Sequence, residues 1–192
     1  MNKKQRILLT MLELVVKQGY HATPMSQVAK EANVAVGTIY HYFETKEQII
    51  EAIFLMVYKD LSIVLLTNSN PRATYKKQFT TMLYNMFNYF ASNPLAFYFI
   101  EYVGVPPIIS PEMVKQTVPF YKKITDFFLK GITEKRVKKM DEILIMKLCY
   151  GLISSVVKLK IKEERPIHQK QIDQSIEACW DAIRYSENKL FA

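Results

Sequence analysis

A chain of 192 residues, 49% of them hydrophobic, is long enough for one large domain or a small one joined to a medium one. Only five glycines and eight prolines exclude a low-complexity chain, and no apolar run is long enough to span a bilayer, so no membrane partner is expected. The net charge of +8 favours a polyanionic partner but is unevenly spread: residues 1–50 hold six Lys/Arg against four Asp/Glu, and residues 115–165 hold thirteen against six.

The opening "MNKKQRILLTMLELVV" has a basic start, but Glu13 interrupts its apolar run and no small-residue cleavage site follows. It reads as an amphipathic helix rather than a secretory leader, and a cytoplasmic protein is expected. Ile7, Leu8, Met11, Leu14 and Val15 recur at helical spacing from about Lys3 to Gln18, and Gly19 terminates the helix. Thr23 can cap a short helix from Pro24 to Ala32, with Met25, Val28, Ala29 and Ala32 on one face. Asn33 suits a left-handed turn, and a second short helix follows over about Val36 to Tyr42.

Thr45 caps a helix of about 22 residues, which ends at "NSNP". A helix over about Ala73–Ser92 stops at Asn93-Pro94, and "LAFYFIEYV" stops at Gly104 and "VPP". Ser110-Pro111-Glu112 starts another, in which Pro119 predicts a kink or restart and Gly131 a stop. Asp141 caps "EILIMKLCYGLISSVVKLKIKEE", and the last helix follows Arg165-Pro166. The expected fold class is all-α, with about nine helices and no strands. Cys149 and Cys179 have no metal-like spacing and read as buried thiols.

The three short N-terminal helices and their tight turn form a helix-turn-helix unit. Ile39 and Phe43 are four apart and face Val28 and Ala29. Gly37 lets a partner approach the backbone. Thr38, Tyr40, His41 and Tyr42 occupy the other faces, with hydroxyls and ring tips suited to phosphate oxygens, base edges and thymine methyls. Between Val34 and Phe43 there is no Lys or Arg.

Residues 23–53, "TPMSQVAKEANVAVGTIYHYFETKEQIIEAI", resemble the signature of the TetR family of bacterial transcription regulators. The resemblance covers about residues 4–55 through V-x-x-G-T-I/L-Y-x-Y/H-F-x-x-K-E. It implies an all-helical homodimer that binds a pseudo-palindromic double-stranded DNA operator with its N-terminal domain. It also implies a small-molecule effector bound by the C-terminal domain, most often to relieve repression. The division expected is 1–47 for DNA binding and 48–192 for effector binding and dimerisation. Carried over residue by residue, the resemblance puts Thr38, Tyr40, His41 and Tyr42 on DNA, and Lys46 and Thr23 on backbone phosphates. Ala35 departs from the family's capping Ser or Thr, and Val36 from its polar residue.

Residues 75–130 are rich in aromatics and Met, which form cores and line adaptable apolar pockets. In the family the effector pocket lies among these middle helices, and Phe87, Phe90, Phe99, Tyr102 and Tyr121 are its candidate lining. Glu101 could pair with a cationic effector or face solvent, and is read as facing solvent. Gly151, Ser154 and Ser155 permit close helix approach, with Trp180 and Ile183 as plausible anchors opposite. By the resemblance the last two helices pair with their copies in a four-helix bundle, with Leu152, Ser155, Val156, Ile176, Trp180 and Ile183 at the interface. No cofactor, metal site or catalytic residue is expected. The alternative is a lipophilic-ligand-binding helical protein whose DNA binding is weakened at Ala35-Val36.

Overall fold

The computed structural model describes residues 1–104, 107–162 and 166–186. Among them lie nine α-helices: α1 (Lys3–Gln18), α2 (Met25–Glu31), α3 (Val36–Tyr42), α4 (Lys46–Leu65), α5 (Tyr75–Ser92), α6 (Pro94–Tyr98), α7 (Pro111–Thr133), α8 (Glu142–Ile161) and α9 (Gln169–Ile183). A π-helical turn, Phe99–Val103, follows α6. The described residues contain no strand, only an isolated bridge between Val137 and Arg184. The expected stop at Val105-Pro106 and the break at Arg165 fall outside the described residues.

The helix ends follow local chemistry. Asn2 and Gln5 form a capping box at α1, and Gly19 ends it at φ 86°. Asn33 adopts φ 50°, the left-handed turn between α2 and α3. Thr45 accepts the Gln48 amide at 3.3 Å and Asp141 that of Leu144 at 2.8 Å, so both cap as their sequences predict.

Contacts divide the chain into two compact units, residues 1–60 with 93–119 and residues 61–92 with 120–192. In the first, α1 packs on α2, α3, α6 and the π-turn, and α2 packs on α3. Its core joins Ile7, Met11 and Val15 of α1 to Val28, Ile39, Ile49, Ile50, Ile53 and Phe54. In the second, α5, α8 and α9 pack pairwise around Phe79, Phe90, Phe128, Ile145, Ile153, Val157, Ile176, Cys179 and Ile183. Both thiols are buried. Burial pushes Cys149 up to about 12 and Cys179 up to about 11, so neither is a nucleophile at neutral pH.

Of the kink or restart expected at Pro119 in α7, the restart is absent, and a second expectation, the stop at Gly131, changes. The helix runs through Pro119 as one element. A proline removes the bond to the carbonyl four residues back, here on Lys115, which is exposed and open to water. Nor does Gly131 stop the helix. It lies inside α7 because a methyl there would overlap the Tyr75 phenol. Tyr75 is fixed by stacking on Phe127 at 4.3 Å and by donating to the Phe127 carbonyl at 3.2 Å. Lys135, at φ 54°, makes the reversal instead. Glu101, read as facing solvent, is half-buried, and its charge adds to burial in raising the Tyr58 pKa.

Candidate nucleic-acid interface

The seven residues of α3 sort by face. Ile39 is fully buried against the α2 side, and Phe43, which ends the helix, is buried with it. Gly37, Tyr40, His41 and Tyr42 are exposed and Thr38 is half-buried. Tyr40 is 51% and Tyr42 40% accessible, high values for rings that a core would normally enclose. A methyl built on Gly37 would meet nothing within 4 Å, so the chain itself leaves that approach open. Gly37, Thr38, Tyr40, His41 and Tyr42 therefore stand on one short helix and remain available. The His41 and Tyr42 rings meet edge-on at 5.3 Å.

The start of α3 is bare. Ala35 occupies the N-cap in an extended conformation (φ −67°, ψ 147°) with no side-chain cap. Val36 is 40% exposed. The Thr38 amide donates to the Ala35 carbonyl at 2.9 Å, while the amides of Val36 and Gly37 have no side-chain partner from Ala35 and keep their donor capacity.

Thr23 stands differently from the sequence reading, and Lys46 has partners of its own within the chain. Thr23 is fully buried, and its hydroxyl donates to the Gly19 carbonyl at 2.8 Å. It neither caps α2, whose N-cap is Pro24, nor presents a hydroxyl to a phosphate. The polar residue at this turn satisfies the end of α1 instead. Lys46, the first residue of α4, is half-buried. Its ammonium donates to the Tyr20 carbonyl and lies 4.1 Å from the centre of the Tyr20 ring. Burial lowers its pKa, and the neighbouring Glu47 charge opposes that shift. The Tyr20 hydroxyl donates to Glu47, and burial together with this carboxylate pushes the phenol up to about 12.

A cation from another helix lies at the end of α3. Lys4, on the first turn of α1, holds its ammonium 5.3 Å from the centre of the Phe43 ring, at the far end of α3. Neither Lys4 nor Tyr20 stood out in the sequence. The only signals were the Lys3-Lys4 pair and the aromatic after Gly19, and neither says which ring or carbonyl lies opposite.

The other candidates fall in both units. Phe87, Phe90 and Tyr121 belong to the second, with both phenylalanines buried and Tyr121 half-buried. Phe99 and Tyr102 belong to the first, where Phe99 is fully buried and Tyr102 is 58% exposed. Tyr102 lines an open cleft of about 370 Å³ with Val15, Val16, Tyr20, Tyr98 and Val103. Of the dimer candidates, Leu152 and Ser155 are exposed and Val156 half-buried. Ile176 and Ile183 are buried in the chain's own second core, which removes them from any surface. Trp180 is half-buried and packs on Phe79 at 5.5 Å. The exposed apolar face of α8 is instead Leu144, Leu148 and Leu152, with Gly151 and Ser155 beside them. Among the described residues no group of His, Cys, Asp or Glu is placed to hold a metal, and no helix is long and apolar enough to cross a membrane.

An outward-facing second helix, α3, set on a support helix, α2, and followed by a larger helical part, defines an all-α helix-turn-helix protein. Family models agree: residues 7–53 match bacterial regulatory proteins of the tetR family, and residues 74–184 match the tetracyclin repressor-like C-terminal domain. The chain belongs to the tetR family of bacterial regulatory proteins. It is 30% identical over 92 residues, 45% of this chain, to the HTH-type transcriptional regulator YuxN of Bacillus subtilis. It is 42% identical over 52 residues, 27% of this chain, to the fatty acid metabolism regulator protein of Bacillus subtilis. These matches span 31% and 27% of the relatives' own lengths. A TetR family transcription regulator from Marinobacter aquaeolei VT8 superposes with a TM-score of 0.88 at 19% identity, covering 96% of both chains. The transcriptional regulator FadR of Bacillus subtilis, in complex with stearoyl-CoA, superposes with a TM-score of 0.77 at 21% identity over 94% of this chain and 99% of that one. At these identities the two structures show the fold alone.

Proposed function

We propose that the chain is a sequence-specific DNA-binding transcription regulator that binds a pseudo-palindromic operator as a homodimer. We further propose that it acts as a repressor released by a small, largely apolar effector. Residues 1–47 read the DNA in this scheme, and residues 48–192 bind the effector and dimerise. The observation that carries the reading is α3. Its one fully buried residue, Ile39, anchors it, while Gly37, Tyr40, His41 and Tyr42 face outward. Such a helix reaches base edges through its exposed side chains, and uses N-terminal amides and nearby ammonium groups on phosphates.

Dimerisation is supported by the exposed leucine stripe of α8, since a dimer about a two-fold axis needs a self-complementary face. Two reading helices about 34–36 Å apart enter successive major grooves. An effector that binds better to another spacing lowers DNA affinity by that difference in affinity. The aromatic helices support an apolar effector, with Phe87, Phe90 and Tyr121 as proposed lining. A long acyl chain belongs to that chemical class.

The test is selection of duplexes from a random-sequence pool, followed by a gel shift on the DNA flanking the chain's own gene. A salt-sensitive, sequence-specific shift, abolished by Tyr40→Ala with Lys46→Ala, is the expected result. No enriched sequence and no shift would reject it. The second reading, a lipophilic-ligand protein with weakened DNA binding, draws on the uncapped Ala35 and exposed Val36. It predicts thermal stabilisation by apolar compounds in a chain that never selects a duplex.

A further inference from the structure

Lys46 stands where the chain passes from the reading helix into α4, and two contacts with one residue hold it there. Its ammonium donates to the Tyr20 carbonyl and lies 4.1 Å from the centre of the Tyr20 ring. The next residue, Glu47, accepts the Tyr20 hydroxyl. Tyr20 is thus gripped by consecutive residues of the first turn of α4, by its carbonyl and ring on one side and its hydroxyl on the other.

The arrangement runs against what the surroundings favour for a lone lysine. A cation is disfavoured at a helix N-terminus, and a free lysine side chain samples many rotamers. Here the carbonyl and the ring face supply what the dipole withholds, and Glu47 holds the ring by its hydroxyl. Burial has already removed part of the ammonium's water and lowers its pKa. A group so held loses less freedom and less hydration on meeting a phosphate. An ammonium carries three donors, and the Tyr20 carbonyl takes one.

Tyr20 itself is only half-buried and lines the open cleft with Tyr98 and Tyr102. It is not part of the Ile7–Val28–Ile39 core.

We propose that Tyr20 is a positioning residue for DNA binding: it holds the Lys46 ammonium toward the phosphate backbone at the start of α4, and Glu47 acts on the DNA through Tyr20. The inference rests on Lys46 being a phosphate contact of a DNA-binding chain. Because phosphates carry no sequence information, its signature is a loss of affinity equal for every duplex, with base preference unchanged.

The experiment is fluorescence anisotropy of the full chain with a labelled mixed-sequence duplex of about 30 bp, across a low-salt series, where non-specific binding is measurable. Lys46→Met weakens binding about tenfold and makes the log–log salt slope shallower by roughly one per chain bound. Tyr20→Leu alone weakens it about three- to fivefold. In the double variant the Tyr20 loss disappears, so that Tyr20→Leu/Lys46→Met binds as Lys46→Met does. Tyr20→Phe keeps ring and carbonyl, releases only Glu47, and weakens binding about twofold, again only while Lys46 is present. Losses that multiply in the double variant, or a Tyr20→Leu chain that binds as the wild type, overturn the proposal. If circular dichroism finds Tyr20→Leu unfolded, the Tyr20→Phe cycle decides by the same criterion. A wild type that binds no duplex overturns the DNA-binding reading itself. A Lys46→Met chain that binds as the wild type overturns the phosphate contact and this proposal together, while leaving α3 as a reading helix.

Discussion

The helices α3 and α8 present exposed residues for opposite reasons. In α3, seven residues long, a single fully buried side chain, Ile39, anchors everything that faces out. In α8, twenty residues long, Ile145, Cys149, Ile153 and Val157 fill one face along the whole helix, yet Leu144, Leu148 and Leu152 still lie open on another. Tyrosine and histidine on the surface of a short helix keep polar tips in water and cost little there. Three leucines in a row on a long helix gain nothing from water, and such a row marks a surface meant for another apolar surface. Under the proposed function, exposure serves a polar partner in one region and association in the other.

The sharpest way to break this comparison is at the α3 anchor. Ile39→Ala removes a fully buried side chain and is expected to cost about 2–5 kcal/mol. Denaturant unfolding should report that loss, and DNA binding should vanish with the placement of Tyr40 and His41. Next in size is Gly131→Ala in the second unit, where the new methyl must displace a stacked, hydrogen-bonded Tyr75. A loss of about 1–3 kcal/mol is expected. An unchanged unfolding midpoint would show that Tyr75 moves aside freely.

Ala35→Ser sharpens the comparison in the other direction. The residue already has N-cap geometry, so a hydroxyl should add about 1 kcal/mol of stability. If the uncapped start is a weakness of DNA binding, operator affinity rises with it. Leu148→Glu with Leu152→Glu is expected to change the stability of the isolated chain by less than about 0.5 kcal/mol, because both lie on the surface. Sedimentation should nevertheless find the association lost. If the mass in solution is the same before and after, the leucine row is not the dimer face.

The smallest effect concerns pH. In each unit a tyrosine donates to a carboxylate, Tyr20 to Glu47 and Tyr84 to Asp173. The hydrogen bond from Tyr84, then that from Gln169, holds the Asp173 carboxyl below its usual range. A lowered folded pKa contributes stability that is present above the ordinary carboxylate pKa and lost as pH falls through the folded one. Tyr84→Phe should flatten the acid limb of the unfolding midpoint between those two values. An identical limb in the variant would count against the bond.

Much of this was legible in the chain itself, because the signals are local. Helix spacing, caps at Thr45 and Asp141, the left-handed Asn33 and the burial of Ile39 and Phe43 all depend on neighbours within a few residues. The same locality made the G-T-I-Y-H-Y-F segment recognisable and placed Tyr40, His41 and Tyr42 on the outside of α3. It misled where a distant partner decides. Gly131 looks like a stop until Tyr75 is placed against it, and Pro119 looks like a possible restart until the helix is seen to run on through it beside an exposed Lys115. Thr23 looks like a cap and a phosphate ligand until Gly19 accepts its hydroxyl. Ile176 and Ile183 look like interface residues because an apolar stripe does not say which apolar surface covers it. The sequence alone therefore determined the helices, their order and the reading helix, all of which arise from contacts a turn or two apart. Only the tertiary structure decided that Tyr20 holds Lys46, that Lys4 lies over Phe43, and that α8 rather than α9 keeps an open apolar row. Each of those pairings joins residues far apart in sequence, and packing alone brings them together.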